Sequence, residues 1–127
     1  MPITRAAQAP HFDLDGFHFV GLTAPSRGAT ELCTWQLNIA PGAGAADEAH
    51  QLNHEEVFIV LDGTITVTVE QEDIELGVGD ALAVPAHSWL LVRNCTAVPA
   101  RAIVCVPVGV RGRFINGREI GTPPWAQ

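Results

Sequence analysis

The feature that most constrains the fold is a two-residue alternation of apolar and polar side chains along most of the chain. It is clearest in residues 31–39 and 64–69. Successive side chains of a β-strand point to opposite faces, so the alternation predicts half-buried strands. No window carries a helical stripe of apolar residues over three turns. With turn residues recurring roughly every 8–12 positions, we expect about eight to eleven short strands in a closed or double-sheet antiparallel architecture.

Two tight turns are predicted to form β-hairpins. Residues 57–61 are an unbroken apolar run, which is typical of a strand covered on both faces. Asp62-Gly63 is a tight-turn pair directly before the alternating segment 64–69, so these two segments are predicted to pair as a hairpin. Asn116-Gly117 predicts a last short hairpin before the Pro-rich tail.

Composition limits the classes of partner. The chain has 127 residues, 47% of them hydrophobic, which indicates one globular domain. Its net charge of -7 argues against nucleic acid and anionic membrane surfaces, because both attract a basic face. The three cysteines lack a paired spacing, and no apolar segment is long enough for a signal or membrane span. We therefore expect a cytoplasmic protein that binds neither nucleic acid nor membrane, and the charge says nothing about its substrate.

Two separated motifs resemble those of the cupin superfamily. The first family motif has the form G-x5-H-x-H-x3-E-x6-G, and the second has the form G-x5-P-x-G-x2-H-x3-N. Seven family positions are matched in register, four in the first motif and three in the second: Gly44, His50, Glu56, Gly63, Gly79, Pro85 and Asn94. The resemblance implies an all-β, single-domain cupin jelly-roll β-barrel over residues 1–127. Its N-terminal strands would occupy 1–43, the barrel motifs 44–94, and the C-terminal strands and tail 95–127.

The metal ligands of the family are only partly kept. Metal-binding cupins use three histidines and the glutamate, but Leu52 and Leu90 stand at two of the histidine places. Leucine coordinates no ion, so the resemblance carries over His50 and Glu56 alone. Two further histidines offer a compensation. A rearranged set, His50, His54, Glu56 and His87, would suit one divalent transition metal such as Zn, Fe, Ni or Mn.

The family orientation also predicts an apolar pocket inside the barrel. Four residues are expected to line it beside Glu56: Leu52, Phe58, Val60 and Leu90. Such a site suits a small organic molecule. Desolvation would raise the pKa of Glu56, which makes Glu56 and His50 the candidate catalytic residues, with His87 as an alternative partner to His50.

Three functions remain open on this basis. The first is a metal-dependent enzyme of the oxygenase, isomerase or cyclase type. The second is a metal-free enzyme that transfers protons through Glu56 and a histidine. The third is a non-enzymatic protein that binds a metabolite. A homodimer is expected because strand 57–61 would otherwise leave one apolar face uncovered.

Other polar and aromatic residues are predicted to lie outside the site. Glu55 has the opposite parity to Glu56 and should face away from the pocket. His11 and His18 are interpreted as surface or strand-face residues. Trp35 and Trp89 are interpreted as core or interface residues, and Trp125 is expected to dock the tail onto the body.

Overall fold

The computed structural model describes all residues 1–127 and consists of twelve β-strands and four single turns of 3-10 helix. The strands are β1 His11–Leu14, β2 Phe17–Thr23, β3 Leu32–Ile39, β4 His50–Leu52, β5 Glu56–Asp62, β6 Ile65–Val69, β7 Glu72–Leu76, β8 Ala81–Val84, β9 Leu90–Arg93, β10 Ala100–Pro107, β11 Gly112–Phe114 and β12 Glu119–Gly121. The 3-10 turns are Ala6–Gln8, Pro25–Arg27, Ala46–Glu48 and Pro124–Ala126. None of the helical turns has the length and apolar character needed to cross a membrane.

The strands form two six-stranded antiparallel sheets. The first sheet has the order β1-β2-β3-β10-β5-β8 and the second the order β12-β11-β4-β9-β6-β7. Many neighbours in space are distant in sequence, as β10 between β3 and β5 illustrates. This arrangement confirms the predicted all-β jelly-roll barrel.

The core lies between the two sheets because the alternating residues of each strand turn one face inward. In β3 every second residue from Cys33 to Ile39 is buried, and in β10 every second residue from Ala100 to Val106 is buried. The two strands pair over eight residues, so their inward side chains form one continuous apolar surface.

The predicted hairpin at Asp62-Gly63 is wrong. Strand β5 pairs with β8 and β10 in the first sheet, whereas β6 pairs with β7 and β9 in the second. Gly63 therefore passes the chain from one sheet to the other. Its φ is +71°, and a Cβ there would lie 2.6 Å from the carbonyl oxygen of Pro99, so the close approach requires glycine.

Two other strand predictions had different outcomes. The hairpin at Asn116-Gly117 is confirmed, since β11 and β12 pair antiparallel across that turn. The prediction that strand 57–61 is covered on both faces is wrong within one chain. Phe58 and Val60 are buried, but Ile59 and Leu61 are 40% and 43% exposed on the outer face.

Candidate functional site

A cavity of about 510 Å³ lies inside the barrel between the two sheets. Its wall combines inward residues of β2, β3, β4, β5 and β10 with the 3-10 turn at 46–48 and the C-terminal tail. Fifteen of the 23 lining residues are hydrophobic. A volume of several hundred Å³ with a few convergent polar groups is typical of a small-molecule site.

Glu56 is the buried acid of this cavity. It is the first residue of β5, and the strand parity that buries Phe58 also turns Glu56 inward, where it is 5% exposed. Its Oε1 has no hydrogen-bond partner. An unpaired carboxylate is costly in an apolar surrounding, so burial raises the pKa of Glu56 to about 8.

His50 faces Glu56 across the cavity and is held in one tautomer. It begins β4, and its Nδ1 lies 3.1 Å from the backbone oxygen of Glu48. Because a carbonyl oxygen only accepts, Nδ1 carries the proton and Nε2 keeps its lone pair. Desolvation lowers the pKa of His50, although the hydrogen bond to Glu48 partly offsets it.

The two groups stand close without bonding directly. The Nε2 of His50 is 4.0 Å from the Oε1 of Glu56, which is too long for a hydrogen bond. A polar atom of a substrate or a water molecule can contact both groups at that separation. The sequence-predicted catalytic residues are thus brought together.

The predicted pocket lining is half right. Leu52 and Phe58 line the cavity, but Val60 and Leu90 do not. Val60 lies four residues beyond Glu56 on the same strand face and is buried in the core. Leu90 pairs with His50 in the sheet and is 2% exposed, so it is core packing behind the wall.

The four-residue metal set is not assembled. His54 is exposed in the loop after β4. The preceding Asn53 makes two hydrogen bonds with the backbone of Arg111. His87 is also exposed. Its backbone N–H donates to the oxygen of Leu52 at 2.7 Å, and it lines a separate outer pocket.

The remaining donors do not fit a metal ion. No group of three or more His, Cys, Asp and Glu side chains is arranged to hold one. Only His50 and Glu56 are close to each other, and Leu52 occupies a position where the family has a donor. Two protein ligands are fewer than the three or four that metal sites use. The prediction of a rearranged metal centre therefore disagrees with the geometry.

The aromatic residues of the cavity are the largest omission of the sequence analysis. Trp35 is buried, as expected for a core residue, but it also lines the cavity. Trp125 docks the tail as predicted: its ring stacks on Phe19 with 3.6 Å between centroids and an interplanar angle of 8°. Trp89 stays outside the cavity, with the guanidinium of Arg113 5.6 Å from its ring. Strand parity indicated an inward Trp35, but no local signal placed the tail over the barrel.

The rim of the cavity carries charged side chains from three loops, and sequence reasoning did not identify them. Asp15, Asp47 and Glu48 are on one side, and Arg118 lies over the ring of Phe114 at 4.5 Å. Burial raises the pKa of Glu48, and the negative charges of Asp15 and Asp47 add to the shift. These loops are remote from one another in sequence, so only the fold reveals that they meet.

The glutamate and the two histidines predicted to lie outside the site do so. Glu55 is exposed. His11 and His18 are on the outer face of β1 and β2, where their rings are hydrogen-bonded at 2.8 Å. His18 also lies 2.6 Å from the carboxylate of Asp13.

Comparison with known proteins agrees with this fold. The Cupin domain family model matches residues 35–107. A protein of Mycobacterium tuberculosis named beta-D-galactosidase Rv1717 is 31% identical over 109 residues, which cover 84% of this chain and 93% of that protein.

Two solved structures are similar in fold. The polyketide cyclase RemF from Streptomyces resistomycificus has a TM-score of 0.75 at 15% identity, covering 94% of this chain and 85% of its own. An RmlC-like cupin from Shewanella frigidimarina has a TM-score of 0.69 at 22% identity, covering 83% and 88%. At these identities the likeness concerns the fold alone.

Proposed function

The chain belongs to the cupin family, and from that premise we propose that it is an enzyme that transfers a proton on a small organic molecule bound inside the barrel. The observation that carries this proposal is the pair of Glu56 and His50 in an apolar cavity. Fold likeness does not choose a chemistry, because one fold hosts many reactions. The choice is made by the side chains in the site.

The environments of the two groups suit opposite roles. Burial holds the proton on Glu56 up to a pKa of about 8, so it is an acid at neutral pH. Burial also lowers the pKa of His50, which keeps the imidazole neutral and leaves Nε2 free to accept a proton. Titratable groups whose pKa values are pushed apart in this way mark an acid and a base. In this proposal Glu56 donates a proton and His50 accepts one.

The backbone of Glu48 positions the base. Its carbonyl oxygen accepts the Nδ1 proton of His50 and thereby aims Nε2 at the side of the cavity where Glu56 lies. The chain's own residues thus supply an acid, a base and a fixed tautomer. A metal-dependent reaction would need donors that the cavity does not bring together.

Deuterium labelling tests the proposal on a mixture of candidate substrates at once. The protein is incubated with a metabolite extract in D₂O, and mass spectrometry detects metabolites that gain deuterium on carbon. We expect labelling by the wild-type protein to fall roughly 10²- to 10⁴-fold in Glu56→Gln and in His50→Gln. Glu55→Gln is the matched control, because this neighbouring carboxylate is exposed, and it should label as the wild type does.

Two outcomes would contradict the enzyme proposal. If no metabolite gains deuterium above the level in Glu56→Gln, the pair does not transfer protons to carbon. If a metabolite co-purifies with the protein and stays unchanged, the protein is a non-enzymatic binder, the third of the functions that the sequence leaves open.

Glycoside hydrolysis is a second candidate function, favoured by the name of the relative from Mycobacterium tuberculosis. Glycosidases use a carboxylic acid of raised pKa and a second carboxylate. Glu56 and Glu48 both line the cavity and both have raised pKa values. Hydrolysis of a nitrophenyl β-D-galactoside that is lost in both Glu56→Gln and Glu48→Gln would support this candidate. No hydrolysis by the wild-type protein would exclude it, and hydrolysis that survives both changes would show that these two carboxyl groups do not carry the reaction.

Self-association through the outer face of β5 is proposed as well, with a second copy of this chain as the partner. Ile59 and Leu61 are exposed there, next to β8, whose outer edge has no neighbouring strand. A second copy packed here would cover Ile59 and Leu61 and would pair with the free edge of β8. Light scattering should give a dimer mass for the wild type and a monomer mass for Leu61→Arg. A monomeric wild type would contradict the proposal.

A further inference from the structure

We infer that the cavity selects a flat, ring-bearing molecule without a negative charge, and that Trp125 of the C-terminal tail forms one wall of its binding slot. This inference names the substrate class of the proposed function and rests on the same cavity. It is drawn from the aromatic lining, the placement of the tail and the charges at the rim.

The cavity collects most of the aromatic side chains of the chain. Six of the eight phenylalanines and tryptophans line it: Phe17, Phe19, Trp35, Phe58, Phe114 and Trp125. Aromatic rings stack face to face or edge to face on other flat rings, which adds to the burial of apolar area. An irregular aliphatic molecule would be stabilised only by the burial of its apolar area, without stacking. A flat ring therefore uses this lining best.

Trp125 is placed to contact such a ring. It stacks on Phe19 and meets the ring of Trp35 nearly edge-on, with 6.2 Å between centroids and an angle of 63°. The Nε1 atoms of Trp35 and Trp125 are both buried without a hydrogen-bond partner. Buried indole N–H groups usually have an acceptor. A ligand oxygen would supply one.

Hydrogen bonds fix the tail that carries Trp125. The hydroxyl of Ser26 donates to the backbone oxygen of Gln127 at 2.6 Å, and the thiol of Cys33 donates to that of Ala126 at 3.4 Å. The hydroxyl of Thr122 donates to the oxygen of Val110 at 2.8 Å. The indole of Trp125 thus has a defined position in the wall.

The charges of the rim oppose an anionic ligand. Asp15, Asp47 and Glu48 contribute carboxyl groups, whereas Arg118 is the one cationic side chain in the lining. The guanidinium of Arg118 is over the ring of Phe114. A net negative charge at the mouth repels an anion. A carboxylate or phosphate on the ligand is therefore disfavoured.

Three probes of similar size test the inference by isothermal titration calorimetry at pH 7: 2-naphthol, 2-naphthoate and decalin-2-ol. The first is flat and neutral, the second flat and anionic, and the third neutral but not flat. We expect 2-naphthol to bind at least about tenfold more tightly than either of the others, a difference of about 1.4 kcal/mol. Changing Asp47→Asn together with Glu48→Gln should reduce the disadvantage of 2-naphthoate to about threefold.

Variants of two tryptophans test the role of the tail. Trp125→Leu keeps an apolar side chain but removes the stacking ring, and it should weaken 2-naphthol binding about tenfold. Trp89→Leu is the matched control, because Trp89 lies outside the cavity, and binding should be unchanged. Circular dichroism on both variants verifies that they are folded.

Each part can be overturned separately. Equal affinity for 2-naphthoate and 2-naphthol would refute the charge selection, and equal affinity for decalin-2-ol would refute the preference for flat rings. Unchanged binding in Trp125→Leu would refute the tail as a wall. If none of the three probes binds, the substrate class is wrong. The proposed proton transfer fails only if Glu56-dependent deuterium labelling is also absent.

Discussion

Two pockets of this protein use similar residue types in different surroundings. The inner cavity contains His50 and Glu56, whereas an outer pocket of about 330 Å³ is lined by His87 together with Arg111 and Arg113. The inner groups are enclosed by apolar side chains and have shifted pKa values. The outer residues are exposed to water. Burial and orientation make His50 a candidate base, whereas the exposed His87 is the same residue type without either.

The same lesson holds between two adjacent residues. Glu55 and Glu56 differ by one position, yet Glu55 is exposed and Glu56 is buried. Strand β5 begins at Glu56, and the alternation along the strand places it on the same face as Phe58. One step of strand parity therefore separates a solvated carboxylate from an acid with a pKa of about 8.

The largest expected effect is a dependence of stability on pH that originates in Glu56. Its pKa is about 8 in the folded state and near 4.5 when unfolded, so the folded state binds the extra proton between these values. Stability is therefore fully present below about pH 4.5 and falls as pH rises towards 8. The full loss is about 5 kcal/mol, of which about 2 kcal/mol is lost between pH 6.5 and 8.

Urea unfolding at several pH values measures this slope. Above pH 6.5 the slope reports Glu56 alone of these two groups. Below pH 6.5 the lowered pKa of His50 makes stability fall with decreasing pH, which opposes the effect of Glu56. Glu56→Gln should remove the slope, and Glu55→Gln should keep it. A slope that persists in Glu56→Gln would show that another group titrates.

Much of the fold could be predicted from sequence because alternation and turn residues are local signals. The hairpin at Asn116-Gly117 was predicted correctly, whereas the one at Asp62-Gly63 was not. Both turns are tight, but local turn chemistry does not say which sheet the next strand joins. That choice depends on the pairing of β5 with β10, which lies about forty residues further along the chain.

The site was predictable only in its strand-borne part. Glu56 and His50 lie at strand starts whose parity is readable, and the family motif marks both positions. Arg118 and Trp125 come from a loop and the tail, and nothing near them in sequence indicates that they reach the cavity. His54 has the same parity as His50, but β4 ends at Leu52, so the parity no longer applies.

A change at Leu52 would break the separation of the two pockets. Leu52 lines both of them and forms the wall between them. Leu52→Ala should lower the free energy of unfolding by roughly 2–5 kcal/mol, since it leaves a cavity at a buried leucine. Water admitted through the gap should also lower the pKa of Glu56 and flatten its pH slope.

Val60→Ala is the control for this change. Val60 is 1% exposed but lines neither pocket, so its removal should cost stability while the pH slope stays as in the wild type. Urea unfolding between pH 6.5 and 8 compares the two variants. An unaltered slope in Leu52→Ala would mean that Leu52 does not keep water from Glu56.

The smallest expected effect concerns the outer pocket. His87 has a φ of +65°, a left-handed conformation that is unfavourable for a residue with a Cβ. His87→Gly should therefore be more stable than His87→Ala by about 1 kcal/mol, because only glycine adopts this backbone without strain. Both variants keep the backbone hydrogen bond to Leu52, so thermal or urea unfolding isolates the strain.

Both should also label metabolites with deuterium as the wild type does, because the imidazole of His87 is outside the cavity. A loss of labelling in His87→Ala as large as in His50→Gln would place His87 in the site after all, and the contrast between the two pockets would fail.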